Sequence, residues 1–460
     1  MSSDSPRRRD RESGRRRLPL LIVALVAVAA VVAGLIFYAT TRPSDQDEPE
    51  PVAVTFPIPI SGVKTAKDTT IGVVVTTGSS EGGQWYLPAH GIVVAQQRLA
   101  LGGATIEVVA EDDGGTRNGS AQAVEELVNR GVSGIIYASS GTHMRPGLDI
   151  ASQSGVPVIL PYESHATYPG VWTIAPSEES IVQGLNAELE DYEHSVYITP
   201  EGQAREGVSA TEVVEIDPKD VDEGIKPIVL RASVDLDAHG AYEGAEDLAT
   251  SQEFQDLASQ PRIDAVLIDG DPRFIADVLT GLVARGVKAP LMVGPDALTP
   301  AFAARVLDND GVVPPGVKTV HSRYQDALTL KNDAAGRSMS AFLQAVNQTE
   351  QDPHVRDLMG ESEFTQAASW ADASSHDALI ALALACSEAT STHGEDVADA
   401  LATQQLGKND FLVGPELDFS QTQANSEPAG VLFATNQRLG LRSPDPESFT
   451  VSWSGKADDQ

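Results

Sequence analysis

Cysteine is nearly absent from this sequence, in which Cys386 stands alone. An intramolecular disulfide, a zinc site built on cysteines and a cysteine-ligated iron–sulfur cluster are therefore excluded. An N-terminal lipid anchor on cysteine is excluded too, because Cys386 lies far from the N-terminus. Basic residues are also scarce: 32 Lys and Arg stand against 66 Asp and Glu, and the formal net charge is -34. So acidic a chain is unsuited to nucleic acid, whose phosphates need a basic surface.

Signatures of the common enzyme classes are missing as well. The sequence contains no GxGxxG after a strand, no P-loop and no HExxH motif. Its nine histidines show no HxH or HxxxH spacing, so no metal site is expected. We therefore expect neither an enzyme nor a cofactor. A hydrophobic fraction of 41% still permits folded cores and excludes wholesale disorder.

One long apolar run lies near the N-terminus, from Leu18 to Tyr38, after an arginine-rich segment. A helix of that length spans about 30 Å, the thickness of a hydrocarbon core. We predict a cytoplasmic basic tail over 1–17, an uncleaved transmembrane anchor over 18–40 and an acidic, proline-rich stalk over 41–66. The rest of the chain is then extracytoplasmic, in a single-pass protein of the cell membrane. A cleaved secretory signal is the main alternative, although FYATTRP is a poor cleavage site.

The remainder alternates short apolar runs with longer amphipathic ones. TTIGVVVTT, TIEVVAEDD, VSGIIYASS and VPVILPY are typical of buried strands with helices between them, and the pattern restarts at SVYITP. This predicts an α/β fold of two doubly wound parallel-sheet lobes, with a hinge and an interlobe cleft. We place lobe 1 over 67–193 and 318–412, and lobe 2 over 194–317 and 413–456. PIVLRASV is predicted as a strand, and 201–226 as an exposed excursion.

Ligands of open parallel sheets bind beyond the carboxyl ends of the strands, which directs attention to the loop ASSGT. The loop follows the third predicted strand and contains Ser139, Ser140, Gly141 and Thr142. Hydroxyl and backbone N–H groups at the start of a helix suit a carboxylate or another small anion. Ordinary N-capping by the hydroxyls is the alternative that the local sequence leaves open.

Carboxylates end several predicted strands. Four of them are candidates: Glu163, Asp269, Asp271 and Asp296. They could hold an ammonium group or act as an acid/base pair, and the shaping of turns is the alternative role. Trp85 is a candidate wall of an apolar pocket or else a core residue. His165 is a candidate ligand-binding side chain or else an ordinary loop histidine.

Six segments, in this order along the chain, resemble the branched-chain amino acid (leucine-binding) group of the periplasmic-binding-protein type I family. They are IGVVVTTG, HGIVVAQQRLALGGATIEVVAEDDGG, RGVSGIIYASSGT, SGVPVILPYES, GVKAPLMVGPDA and FLVGPELDF. The resemblance covers about residues 69 to 455 and implies a receptor of an ABC transporter. It also implies that the ASSGT and PYES loops bind the ligand's α-carboxylate and ammonium. The positions concerned are Ser139, Ser140, Tyr162, Glu163 and Ser164, with Asp296 contacting the ammonium from lobe 2.

The chain departs from that family in three loops. ITPEGQAREG replaces the usual aromatic-glycine loop after the first strand of lobe 2. Gly270-Asp271 stands where a tyrosine is often offered, and Glu163 stands where small residues are usual. The excess of acids over aromatics favours a ligand with a polar or cationic side chain over leucine.

These features predict a membrane-anchored, extracytoplasmic solute-binding receptor of an ABC importer. It would capture an amino acid or a similar amine-bearing solute by closure of the lobes, and present it to an ABC permease. The alternative is a ligand sensor or cell-envelope interaction protein without a transport role. In the predicted pocket, hydroxyls of lobe 1 face acids of lobe 2 across the cleft. The hydroxyls are Ser139, Ser140 and Thr142, the acids are Asp271 and Asp296, and Glu163, Ser164 and His165 complete the wall of lobe 1.

Overall fold

The structure is a computed structural model that describes residues 58–165, 167–232, 260–322, 325–435, 441–442 and 451–455. The predicted tail and anchor, and the predicted stalk up to residue 57, lie outside these residues. Within the described ranges, no helix is long and apolar enough to cross a membrane.

The first segment of the chain forms a five-stranded parallel sheet, the sheet of lobe 1, in the order β2-β1-β3-β4-β5. Its strands are β1 (Thr70–Val75), β2 (Glu107–Asp112), β3 (Gly134–Ala138), β4 (Val158–Leu160) and β5 (Val171–Thr173), and its helices are α1 (Gly91–Leu101), α2 (Arg117–Asn129) and α3 (Arg145–Gln153). Helices cover both faces, so β1 is apolar along its whole length. Val73 and Val75 pack on the α1 face, and Val74 packs on the α2 face.

The second segment forms most of a seven-stranded sheet, the sheet of lobe 2, in the order β14-β13-β10-β9-β8-β6-β7. Its elements are α4 (Glu178–Leu189), β6 (Ser195–Pro200), β7 (Glu212–Ile216), α5 (Val221–Gly224), α6 (Lys226–Ala232), β8 (Ala265–Ile268), α7 (Pro272–Ala284), β9 (Leu291–Val293), α8 (Pro300–Asp308) and β10 (Lys318–His321). This sheet too is packed on both faces. Ile198 and Ile268 lie on one face with α7, and Tyr197 lies on the other with α4.

The chain then returns to lobe 1 before it ends in lobe 2. The returning elements are α9 (Ala334–Glu350), α10 (Ala373–Glu388), α11 (Gly394–Leu401) and the short antiparallel pair β11 (Gln405–Leu406) and β12 (Leu417–Asp418). The last strands, β13 (Gly430–Thr435) and β14 (Ser452–Gly455), add antiparallel to the edge of the lobe 2 sheet at β10. The predicted α/β class with parallel sheets is confirmed.

From β1 to β13 the described chain passes between the lobes three times, but not at the predicted boundaries. Helix α4 lies before residue 194 yet belongs to lobe 2, because Leu185 on its apolar side packs with Tyr197. Strand β10, predicted to open the return to lobe 1 at residue 318, pairs with β9 and β13 in the lobe 2 sheet. Residues beyond 412 stay in lobe 1, because Leu417 and Phe419 pack in its core.

Three further expectations were wrong in detail. PIVLRASV is helical over α6, because Ile225, Ile228, Val229 and Ala232 form one buried stripe at helical spacing. The excursion over 201–226 contains the edge strand β7, which pairs parallel with β6. The end of the predicted stalk is not solvated, since Ile60 is 0% exposed and packs in the core of lobe 1.

Candidate ligand-binding cleft

A cleft of about 1240 Å³ lies between the loops of the two lobes. Lobe 1 lines it with the loop that follows β1 and with the start of the loop that follows β3. Lobe 2 lines it with residues that follow β6, β8 and β9. All of these loops leave the carboxyl ends of parallel strands, where a doubly wound sheet offers a binding site.

Close approach of two loops shapes the lobe 1 wall. Gly82 has φ +90°, and a Cβ there would lie 2.0 Å from Oγ of Ser139. Gly141 has φ +120°, and a Cβ there would lie 2.5 Å from the carboxylate of Glu81. Glycine is therefore favoured by conformation at both positions and by space at Gly82.

The serine hydroxyls of the ASSGT loop form hydrogen bonds with other side chains of the protein. Ser139 is 0% exposed, and its Oγ lies 2.7 Å from Oγ1 of Thr76. Oγ of Ser140 accepts a 2.8 Å hydrogen bond from Nε1 of Trp85. The indole of Trp85 stacks on Tyr162, with ring centroids 4.4 Å apart and planes within 6°. Trp85 therefore supports the loop by hydrogen bonding and stacking, while it is only partly buried and does not line the cleft.

The backbone N–H groups of the same loop already hold carboxylates. The N–H of Gly141 donates to Oε2 of Glu163 at 3.0 Å. The N–H of Thr142 donates to Oε1 of Glu81, also at 3.0 Å. Side chains of the protein therefore occupy the N–H groups at the start of the 3-10 turn Thr142–Met144, where a ligand carboxylate was predicted. Glu163, predicted to meet a ligand ammonium, instead binds Gly141.

A buried polar cluster holds this loop from below. Asp113 is 1% exposed and accepts hydrogen bonds from Oγ1 of Thr76 at 2.6 Å and from the hydroxyl of Tyr137 at 2.7 Å. Nε2 of His143 lies 3.1 Å from Oδ2 of Asp113, and its Nδ1 lies 3.3 Å from Oε2 of Glu81. Burial opposes ionisation of Asp113, but hydrogen bonds from His143, Thr76 and Tyr137 outweigh it and lower the pKa of Asp113.

The lobe 2 wall is built around Arg205, in the loop after β6. Its Nε donates to Oδ2 of Asp269 at 2.8 Å, and its Nη1 donates to both carboxylate oxygens of Glu178. The hydroxyl of Tyr197 accepts from the backbone N–H of Arg205 at 2.8 Å and lies 3.3 Å from Asp269. Asp269 is therefore held in an ion pair within the protein.

Asp271 and Asp296 differ in their surroundings. Asp271 is exposed and caps α7, since its Oδ1 accepts from the N–H groups of Arg273 and Phe274. Asp296 is partly buried, and its carboxylate has no hydrogen bond or ion pair with any residue that the structure describes. Burial and, next, the charge of Asp269 raise the pKa of Asp296 to about 7.

The structure brings five of the twelve predicted residues to the cleft. These are Ser140, Gly141, Asp269, Asp271 and Asp296. The other seven lie behind or beside the cleft surface as the structure describes it: Trp85, Ser139, Thr142, Tyr162, Glu163, Ser164 and His165. Ser164 is partly buried and His165 is exposed.

Sequence analysis did not single out several residues that build the site. They are Glu81, Asp113, His143, Glu178 and Arg205. Glu81, Asp113, His143 and Arg205 lie in loops that leave the carboxyl end of a strand, so the rule that located the other loops also applies to them. Glu178 stands in the first turn of α4, where no strand-end signal exists.

No family model and no curated protein matches the chain. Solved structures do match its fold. The branched-chain amino acid transporter substrate-binding protein LivJ of Streptococcus pneumoniae, in complex with isoleucine, is 14% identical with a TM-score of 0.56, covering 85% of this chain and 100% of that one. The leucine-binding protein LivK of Thermotoga maritima is 16% identical with a TM-score of 0.54, over 85% and 100%. An ABC transporter substrate-binding protein of Desulfitobacterium hafniense, in complex with leucine, is 15% identical with a TM-score of 0.53, over 80% and 98%.

These matches show the fold of the chain. The chain has the fold of the type I substrate-binding proteins of ABC transporters, and the matches cover almost the full length of the neighbours. The resemblance to the branched-chain amino acid-binding group is thereby confirmed at the level of the fold.

Proposed function

We propose that the chain is an extracytoplasmic solute-binding receptor that captures an amino acid or a similar small amine-bearing solute between its lobes. The observation that carries the proposal is the acidic lobe 2 wall, where Asp296 and Asp271 face a cleft at the ends of parallel strands. An ammonium group there would gain charge-assisted hydrogen bonds worth about 1.5–3 kcal/mol each. The bound isoleucine and leucine of two fold neighbours support a solute of this size.

The size of the cleft supports capture by closure. Its 1240 Å³ exceeds the roughly 300–1,000 Å³ of a formed small-molecule pocket. Rotation of the lobes about the three crossings would reduce this volume around the solute and exclude water. The proposed role is binding, and no bond of the solute is made or broken.

Calorimetry on the full chain in detergent tests binding, with a panel of amino acids and amines as probes. Losing one charge-assisted contact should weaken binding by roughly 10–100-fold, so Asp296→Ala should show that loss for the best probe. Asp149→Ala, an exposed position on α3, is the matched control. Equal affinity of both variants for the best probe would refute the proposed cleft.

Membrane anchoring forms part of the proposal. It is supported by the uncharged run from Leu18 to Tyr38 and by its poor cleavage site. The mature protein should then keep its N-terminus, which intact-mass measurement of membrane-extracted protein checks. A mature chain that begins near residue 40 would contradict the anchor.

The importer role is supported by the transporter context of the fold neighbours. Deletion of the gene should abolish uptake of the solute that calorimetry identifies. The internally occupied anion site favours the second candidate, a ligand sensor or cell-envelope interaction protein. Uptake that survives deletion, together with binding of the solute, would decide for that candidate.

A further inference from the structure

The two backbone N–H groups of the ASSGT loop that could hold a ligand carboxylate are both engaged. The N–H groups of Gly141 and Thr142 are bonded to Glu163 and Glu81 at 3.0 Å each. Oγ of Ser140 already accepts from Trp85, and Ser139 is fully buried against Thr76. An entering carboxylate would find the N–H groups of Gly141 and Thr142 taken and two carboxylates already in place.

Each of these glutamates also has a second contact that helps to position the residue. The backbone carbonyl of Glu163 accepts a hydrogen bond from Oγ1 of Thr173 at the end of β5. The carboxylate of Glu81 also lies 3.3 Å from Nδ1 of His143 and fills the space beside Gly141 where a Cβ would stand. Removing Glu81 would also leave His143, which is 2% exposed, without one of its two carboxylate partners.

The charges that line the cleft favour a cation. Five carboxylates line it: Glu81, Glu178, Asp269, Asp271 and Asp296. Two guanidinium groups line it, and that of Arg205 is shared between Glu178 and Asp269. Asp296 forms no ion pair with a described residue, and the charge of Arg205 only partly offsets the effect of burial and of Asp269 on its pKa. A cationic ligand would therefore relieve repulsion among these acids, whereas a second carboxylate on the ligand would add to it.

We infer that the cleft selects a small organic cation that carries no carboxylate, an amine or a guanidinium compound, and that Glu81 and Glu163 determine this specificity. The inference rests on the proposed solute-binding function. The ammonium or guanidinium group lies against Asp296 and Asp271. The two glutamates fill the place where an α-carboxylate would otherwise bind.

Matched pairs of probes test the inference, because the members of each pair differ in the α-carboxylate alone. Calorimetry compares agmatine with arginine and cadaverine with lysine, on the full chain in detergent. A pH of about 8 keeps Asp296 charged. The amine of each pair should bind roughly 10-fold or more tightly than its amino acid, the size expected for one lost or opposed charge contact.

Variants of Glu81 and Glu163 test whether these side chains cause the preference for amines over amino acids. Glu81→Ala and Glu163→Ala release the N–H groups, so the preference for amines should fall by roughly 10-fold. Glu81→Gln and Glu163→Gln remove the charge but keep an acceptor, so they should lower the preference less. The glutamine variants also keep the test open should an alanine variant not fold. Glu125→Gln, exposed on α2, should leave the preference unchanged.

The outcomes distinguish a failure of the inference from a failure of the proposed solute-binding function. If arginine and lysine bind as tightly as agmatine and cadaverine, or if leucine binds most tightly, the inference is overturned and the solute-binding function stands. If the amines bind best but the glutamate variants keep the full preference, Glu81 and Glu163 are not its determinants and the inference is overturned in that part. If no amine or amino acid binds, the proposed function fails and the inference fails with it.

Discussion

The side-chain amide of Asn425 donates a 3.2 Å hydrogen bond to the carbonyl oxygen of Ile174. Ile174 lies in the first passage between the lobes and Asn425 in the third. The same amide donates to Oγ of Ser322, in the second passage, at 3.1 Å. One side chain, 2% exposed, therefore ties all three passages together. We expect lobe closure to turn about this point, because the passages cannot move separately while these bonds hold.

Asn425→Ala should destabilise the protein and loosen the hinge. It leaves the buried carbonyl of Ile174 without this donor, which costs about 1–3 kcal/mol of unfolding free energy. Urea unfolding measures the loss, and small-angle scattering should show a larger radius of gyration without ligand. Gln421→Ala, exposed on the same segment, is the control. Equal stability of the two variants would show that Asn425 does not couple the passages.

His143 should make stability depend on pH. Burial lowers its pKa, but the hydrogen bond and charge of Asp113, and then those of Glu81, outweigh burial and raise its pKa. The folded state thus holds the proton of His143 more tightly than the unfolded state does. The stability that His143 contributes is therefore fully present below about pH 6.5, the unfolded pKa, and is lost as pH rises through the folded pKa. His143→Gln should therefore cost more unfolding free energy at about pH 6 than at about pH 9.

Urea unfolding at both pH values checks this prediction. His165→Gln removes an exposed histidine from a loop of the same lobe and serves as the control. A loss from His143→Gln that is the same at both pH values would mean that its role is steric alone.

The sheets could be predicted because buried parallel strands are continuous apolar runs. IGVVV and GIIYA, for example, became β1 and β3. The failure at PIVLRASV has the same origin, since a short apolar run suits a buried strand and a buried helix equally. The predicted lobe boundaries were wrong because the lobe to which α4 and β10 belong depends on their packing partners, which are distant in sequence.

The sequence predicts which loops form the site, but not the hydrogen-bond partners of their side chains. Sequence places ASSGT and PYES at strand ends, and these loops do meet. That Glu163 turns to Gly141 depends on the relative position of two loops, which local patterns do not contain. Arg205 was missed because it belonged to a segment with weak periodicity. The parallel pairing of β6 with β8 brings its loop to Asp269, 64 residues further along the chain.

Arg205→Gln should destabilise lobe 2 strongly. Asp269 has a side chain that is 5% exposed, and its charge would be left without the guanidinium. Breaking a buried ion pair from one side costs about 3–5 kcal/mol, and the 47% exposure of Glu178 limits its own share. Urea unfolding measures the loss. Arg273→Gln, exposed in the first turn of α7, should cost little, and an equal loss in both variants would contradict a special role of Arg205.

Asp296 should make the ligand-free protein less stable as pH rises. Its folded pKa of about 7 lies above the ordinary aspartate pKa of 3.8, because burial and the charge of Asp269 disfavour the carboxylate. The folded state therefore holds the proton more tightly, and stability falls as pH rises from about 4 to about 7. Asp296→Asn lacks this carboxylate. It should stabilise the protein at about pH 8, by about 1–2 kcal/mol after allowance for partial exposure, and have little effect at about pH 4.

The affinity for a cation should also depend on the titration of Asp296, but it should rise with pH where the stability of the ligand-free protein falls. A bound ammonium favours the charged carboxylate, so affinity for agmatine should rise with pH through about 7 and protons should be released on binding near pH 7. Calorimetry in two buffers of different ionisation enthalpy measures that release. Asp296→Asn should abolish the release, while Asp149→Asn on the exposed face of α3 should keep it. Proton release that persists in Asp296→Asn would assign the titration to another group of the cleft, because the side-chain amide of that variant has no proton to lose in this pH range.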